Sequence, residues 1–78
     1  MKEQIKSFII GTFMYDGESL KDDEPLFESG IIDSLGFVRL LKFIEDTFGI
    51  SINMVDVTIE KFNTINDIEK TIRDKMNE

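Results

Sequence analysis

The chain has 78 residues, a net charge of −7 and a hydrophobic fraction of 41%. This length predicts a single domain, residues 1–78, with a small and simple core. The absence of Cys excludes disulfides and thiolate metal sites, and the absence of His removes the commonest general base. The negative charge argues against nucleic acid as a partner, because phosphate contacts need Lys and Arg.

No apolar run approaches the roughly 18 residues that a membrane-spanning helix needs. The first residues are polar and charged, and no secretory signal follows them. We therefore expect no membrane span, a cytoplasmic location and a monomer.

The first predicted helix covers residues 3–14. Its inward stripe has helical spacing and consists of Ile5, Phe8, Ile9 and Thr12. Asp16-Gly17 predicts the exit turn. A long loop, residues 15–33, follows, and Pro25 prevents a helix from continuing through it. Two apolar pairs, Leu26-Phe27 and Ile31-Ile32, are expected to hold this loop against the core.

Acidic side chains are concentrated in the loop. Residues 16–33 contain seven carboxylates and a single basic residue, Lys21. Such a segment favours the approach of a basic partner toward the helix that follows. The alternative is a solvated loop that only improves solubility.

The second predicted helix, residues 34–48, is capped by Asp33 or Ser34 and ends at Gly49. Steps of 100° per residue separate its faces. The core face comprises Phe37, Leu40, Leu41, Ile44 and Phe48. The opposite face comprises Leu35, Arg39, Lys42 and Asp46, while Ser34, Val38 and Glu45 lie at the border. Leu35 is therefore predicted to be an exposed apolar side chain beside Ser34.

Ile50, Ile52 and Met54 alternate with polar residues, but no second strand is available for pairing, which predicts an extended segment. A short helical turn is predicted at residues 58–62. Thr64 caps the last helix, whose inward stripe is Ile65, Ile68, Ile72 and Met76. The predicted fold is all-α: a small four-helix bundle of three main helices and one short helix, with a long first loop.

Two kinds of chemistry are excluded by the pattern. An EF-hand loop needs Gly at its sixth position and Glu at its twelfth. Registers that begin at Asp16 or Asp22 place other residues at both positions. Nucleophilic catalysis by Ser34 would need a base, and Lys42 lies two helical turns away. We therefore expect that the chain is not an enzyme.

The run LFESGIIDSL at residues 26–35 closely resembles the phosphopantetheine attachment region of acyl and peptidyl carrier proteins, whose hallmark is Asp-Ser-Leu at the start of the second helix. The resemblance continues in order through residues 48–52, 56–62 and 64–68. It implies that a phosphopantetheinyl transferase attaches 4′-phosphopantetheine from coenzyme A to Ser34. The thiol of this cofactor would hold an acyl or aminoacyl group as a thioester, and Asp33 and Leu35 would help partners to recognise the site.

The resemblance also implies a partner-binding face on the second helix, comprising Leu35, Gly36, Val38, Arg39, Lys42, Glu45 and Asp46. Fatty-acid carriers usually have a row of acids on this face, whereas here Gly36, Arg39 and Lys42 stand in its place. The Ser-Leu-Gly sequence is more like D-alanyl carrier proteins and other stand-alone carriers that an adenylating acyl or aminoacyl ligase loads. The alternatives are a general carrier served by fatty-acid synthase enzymes and an unmodified helical adaptor. Gly36 has a further explanation, namely crowding near the arm or near a neighbouring helix.

Overall fold

The computed structural model describes residues 1–14, 19–53, 55 and 57–77. Within these residues the chain forms no strand and has four helices: α1 (Lys2–Phe13), α2 (Ser34–Phe48), α3 (Ile59–Phe62) and α4 (Ile65–Met76). The predicted small all-α four-helix bundle is confirmed. None of these helices has the length and apolar character that crossing a bilayer requires. Four features of the sequence analysis lie outside the described residues: the Asp16-Gly17 turn, Glu18, Met54 and Asp56.

Local capping residues determine both ends of α2 and the start of α4. The Asp33 carboxylate accepts a hydrogen bond from the Gly36 N–H at 2.7 Å, which begins α2. Gly49 ends α2 with a φ of 66°, in the left-handed region that glycine adopts without steric cost. The Thr64 hydroxyl accepts from the Asp67 N–H at 3.0 Å and begins α4. These contacts confirm the predicted start and end of α2 and the predicted cap of α4, whereas α1 and α3 each differ from the predicted bounds by one residue at one or both ends.

Among the residues that the structure describes, the buried core is aliphatic except for the Phe62 ring. Its members are Ile5, Ile9, Leu20, Leu26, Ile32, Leu40, Ile44, Phe62, Ile65, Ile68 and Ile72. Burial of each such side chain is worth about 1.5–3 kcal/mol. Two members of the predicted stripes are not part of this core, and their assignment was wrong. Thr12 is exposed on the rim of a groove between α1 and α2, and Met76 is 48% exposed beside an open cleft at the end of α4.

The apolar pairs of the long loop are anchored as predicted. Leu26 and Ile32 are buried, and their apolar neighbours in the sequence are partly buried. The Leu26 N–H donates to the Asn63 carbonyl at 2.7 Å, and the Ile32 N–H donates to the Leu26 carbonyl at 3.1 Å. Gly30 has a φ of 81°, which permits the chain to reverse between the two pairs. These contacts therefore fix the position of the loop where it leads into α2.

Basic residues of α1 neutralise part of the acidic loop. The Lys6 ammonium lies 2.7 Å from one Asp22 oxygen, and the Lys2 ammonium lies 3.7 Å from the other. The hydrogen bond from Lys6 and the two positive charges lower the pKa of Asp22. The Asp22 carbonyl also accepts from the Asn66 N–H at 3.1 Å, at the start of α4. Part of the negative charge of the loop is therefore neutralised by lysines of α1, which the loop sequence alone does not indicate.

Candidate functional site

Ser34 is the first residue of α2, directly after the capping Asp33. Its side chain is exposed, and the hydroxyl makes no hydrogen bond to another described residue. The Asp33 carboxylate is turned back toward the Gly36 N–H, so it holds the helix end in place without covering Ser34. The hydroxyl is thus presented to solvent in the first turn of a capped helix.

The electrostatic surroundings of Ser34 suit an anion. The first turn of a helix leaves several N–H groups without intrahelical partners, and the N-terminus carries a partial positive charge of roughly half an elementary charge. The Asp33 carboxylate uses one of these donors. A phosphate attached to the Ser34 oxygen would lie beside this positive helix end.

The outer face of α2 next to Ser34 combines apolar and basic groups. Leu35 is 66% exposed and Val38 is 62% exposed, as the helical wheel predicts for Leu35. Arg39 is exposed and makes no ion pair with another described residue. Lys42 forms an ion pair with Asp46 at 3.5 Å. Arg39 is therefore the more available positive charge on this face.

Gly36 does not belong to the exposed face. It is buried, and a Cβ atom at this position would lie 2.8 Å from Cε1 of Phe13 and 3.2 Å from Oδ1 of Asp33. Real Cβ atoms do not approach a ring this closely, so a larger residue would force a shift. The placement of Gly36 among the partner-facing residues was wrong, because it lies against the end of α1.

Glu45 also differs from the rest of the predicted face. It is half-buried, and its carboxylate accepts a hydrogen bond from the Ile52 N–H at 2.9 Å. This bond holds the extended segment after α2 against the helix. The side chain is therefore engaged within the fold, whereas Leu35, Val38, Arg39, Lys42 and Asp46 are exposed together.

A row of aromatic rings between α1 and α2 was not foreseen as part of the site. The rings of Phe8 and Phe13 meet edge to face with centroids 5.9 Å apart, and Phe8 stacks on Phe43 at 4.1 Å. The row starts at Phe13, which packs over Gly36 and beside Asp33. The sequence did contain a sign of this contact. Gly36 and Phe43 are seven residues apart and therefore lie on the same side of α2, between its core face and its exposed face.

Comparison with known proteins identifies the family of this chain. Residues 3–72 match the family described as phosphopantetheine attachment site. The chain belongs to this family, and it is therefore a carrier protein whose cofactor is covalently attached 4′-phosphopantetheine.

The relatives are stand-alone carriers of similar length. The D-alanyl carrier protein of Streptococcus uberis is 34% identical over 77 residues, which cover 99% of this chain and 96% of that protein. The D-alanyl carrier protein of Lactococcus lactis subsp. cremoris is 38% identical over 79 residues, which cover 100% and 99% of the two chains. The Bacillus velezensis D-alanyl carrier protein is 31% identical over 67 residues, 86% of each chain. The predicted likeness to D-alanyl carriers is confirmed.

The residues around Ser34 fit this cofactor. The Ser34 hydroxyl is exposed and has no hydrogen bond to another described residue, so it is accessible for formation of a phosphodiester. The neighbouring helix end supplies a positive environment for the phosphate, and Arg39 lines a small pocket with Asp33 and Leu35. When bound, the cofactor supplies a flexible chain and a terminal thiol.

Proposed function

We propose that Ser34 is the attachment residue and that the chain carries an aminoacyl group, D-alanyl in the first instance, as a thioester. The observation that supports the attachment site most directly is the exposed, unengaged Ser34 hydroxyl at the N-terminus of α2, within the segment that matches the family. The similarity to D-alanyl carrier proteins over nearly the full chain supports D-alanyl as the cargo.

The contacts of the residues around Ser34 support the roles that we assign to them. Asp33 fixes the first turn of α2 and provides a negative charge that the phosphopantetheinyl transferase recognises. Leu35 and Val38 give partner enzymes an apolar contact, and Arg39 adds a positive charge to the same face. The chain supplies attachment, position and recognition, while the cofactor thiol and the partner enzymes supply the chemistry.

The charge of this face supports an adenylating aminoacyl ligase as the loading partner. A fatty-acid enzyme that docks carriers through a basic patch would meet Arg39 as a like charge, and like charges at an interface are costly. We therefore infer a specialised pathway rather than general fatty-acid synthesis, and a protein that acts within the cytoplasm together with its ligase.

Attachment is tested by incubating the apo protein with coenzyme A, magnesium and a phosphopantetheinyl transferase of broad specificity. Intact-mass measurement should show the addition of one phosphopantetheine. Ser34→Ala should abolish the gain without loss of helical circular dichroism, because the side chain is exposed. Ser29→Ala is the matched control, since Ser29 is the nearest other exposed serine in the loop, and it should still be modified. The proposal would be contradicted if the Ser34→Ala variant gained a phosphopantetheine or if the wild-type protein did not.

The cargo is tested with the holo protein, ATP and a D-alanine-activating ligase from one of the relatives' species. D-alanine should be transferred to the thiol and released by hydroxylamine, and L-alanine and a fatty acid should be transferred far less. The aminoacyl cargo would be refuted if the D-alanine ligase did not load the holo protein and a ligase that loads carriers with fatty acids did. That result would leave the proposed attachment site unaffected.

A further inference from the structure

The end of α1 lies against the first turn of α2, the turn to which Ser34 belongs. A Cβ atom at Gly36 would lie 2.8 Å from Cε1 of Phe13, so the ring is in direct contact with this buried residue. An oxygen of the Asp33 carboxylate lies 3.2 Å from the same point, and both side chains line one small pocket. Phe13 therefore packs at the capping contact of α2, although it is distant from that contact in the sequence.

The ring covers the hydrogen bond that begins α2. This bond joins the Gly36 N–H to the Asp33 carboxylate at 2.7 Å and is partly buried. A hydrogen bond in surroundings that contain little water is electrostatically stronger than one that competes with water. Removal of the Phe13 ring would give water access to this N–H, and the first turn of α2 would open more often.

A closed row of contacts holds the ring in place. Phe13 meets Phe8 edge to face with centroids 5.9 Å apart, and Phe8 stacks on Phe43 at 4.1 Å. Gly36 and Phe43 both belong to α2 and are about 10.5 Å apart along its axis. The row thus leaves α2 at Phe43, crosses to α1 and returns to α2 at Gly36. It braces the first two turns of α2 against the end of α1.

A formed first turn matters for attachment because three neighbouring groups depend on it. In the transfer, the Ser34 oxygen loses its proton and bonds to a phosphorus of coenzyme A, while the pyrophosphate bond breaks and adenosine bisphosphate leaves. This oxygen must lie in line with the leaving group. The proposed recognition through Asp33 and Leu35 depends on the same turn. Opening of the turn displaces all three groups, so a molecule with an open turn is not a substrate.

We propose that Phe13 is a positioning residue for the attachment of phosphopantetheine. It acts through Gly36 and Asp33, by keeping the first turn of α2 formed. The inference rests on the proposed attachment at Ser34. The effect falls on binding to the transferase, because the bound protein has a formed turn whatever residue stands at position 13. The apparent affinity of the free protein decreases by the fraction of molecules in which the turn is formed.

Amide hydrogen exchange of the apo protein, measured by NMR, tests the first step without any partner. In Phe13→Ala the Gly36 N–H should lose most of its protection, since its cap is no longer covered. The Asp67 N–H, which the Thr64 hydroxyl caps at the start of α4, is the control within the same molecule and should keep its protection. Equal acceleration of the two amides would indicate a general loss of stability and would overturn the inference.

Steady-state kinetics with the transferase and saturating coenzyme A tests the second step. Phe13→Ala should raise the KM for the apo protein about two- to fivefold, which corresponds to a turn that is open in about half to four-fifths of the molecules, and should leave kcat unchanged. Phe13→Leu keeps an apolar contact with Gly36 and should shift KM less in the same direction. The melting temperature verifies that each variant is folded in the assay.

Phe48→Ala is the matched control. Phe48 is also a partly buried ring, and it meets Phe43 at 6.4 Å from the opposite end of α2. Its removal should lower the melting temperature without raising KM. Adding Gly36→Ala to Phe13→Ala provides a rescue, because the new methyl group takes part of the place of the ring. This addition should lower KM in the Phe13→Ala background, whereas the same substitution alone should raise it.

The outcomes separate this inference from the proposed function. No mass gain in the wild type would overturn the attachment at Ser34 and this inference together. A wild type that is modified, with an unchanged KM for Phe13→Ala, would overturn the positioning role alone. Equal increases of KM in Phe13→Ala and Phe48→Ala would show that stability in general governs the transfer, and would also overturn it. A decrease of kcat at unchanged KM would place the effect on the chemical step, and the inference would be wrong.

Discussion

Gly36→Ala tests the contact that positions the start of α2. In an open helical position, replacement of Gly by Ala stabilises a protein by about 0.5–1 kcal/mol. At position 36 the new methyl group would lie 2.8 Å from the Phe13 ring, 3.2 Å from the Asp33 carboxylate and 3.3 Å from Ile32. Such overpacking typically costs about 1–3 kcal/mol. The net effect should therefore be a loss of stability of up to about 2.5 kcal/mol.

Gly11→Ala is the matched control in α1. It lies within a helix, it is exposed, and a Cβ atom there would have no atom within 4 Å. This variant should gain about 0.5–1 kcal/mol. Urea unfolding followed by circular dichroism measures both variants, and in a domain of this size 1 kcal/mol corresponds to about 4–8 °C in the melting temperature. The two variants should therefore change stability in opposite directions.

A double-mutant cycle identifies the cause of the loss. If the Phe13 ring is the obstacle, Gly36→Ala should cost clearly less in a Phe13→Ala background than in the wild type, with a coupling of about 0.5–3 kcal/mol. The rate of phosphopantetheine transfer to Gly36→Ala should fall as well, because the methyl group presses on the Asp33 cap beside Ser34. A Gly36→Ala variant as stable as Gly11→Ala would refute the argument that α1 and α2 approach too closely here for a side chain.

Three further changes follow from single contacts. The hydrogen bond from Lys6 holds the pKa of Asp22 below its ordinary value of 3.8. The ionised carboxylate therefore stabilises the fold above pH 3.8, and this stabilisation is lost as the pH falls through the lowered pKa. Asp22→Asn should lower the urea midpoint at neutral pH and leave it unchanged in strong acid. Thr64→Ala should cost about 1 kcal/mol of unfolding free energy, whereas Thr58→Ala should cost almost nothing, because only the Thr64 hydroxyl caps its helix. Arg39→Glu should raise kcat/KM with a fatty-acid enzyme that has a basic docking patch, measured at low salt, and equal values would show that this charge does not govern partner choice.

The helices and the attachment segment were predictable because their signals are local. Asp33 and Thr64 form their caps within three residues of sequence, and Gly49 ends α2 through its own backbone conformation. The exposure of Leu35 follows from the 100° step of a helix once the core stripe of α2 is known. The fold class and the place of Ser34 at the start of α2 therefore followed from short stretches of sequence.

Other features depend on residues that are distant in the sequence, and the tertiary structure alone decided them. The burial of Gly36 requires the Phe13 ring from the end of another helix, and the neutralisation of Asp22 requires lysines of α1. The periodicity placed Met76 in the inward stripe of α4, but Met76 is 48% exposed. A periodic pattern within one helix does not show how far along it the neighbouring elements extend. The groove between α1 and α2 is lined by Phe8 and Phe43, whose rings stack across the junction of the two helices. A repeating pattern thus determined which side of each helix is apolar, whereas only the packing of one helix against another determined what each apolar side meets.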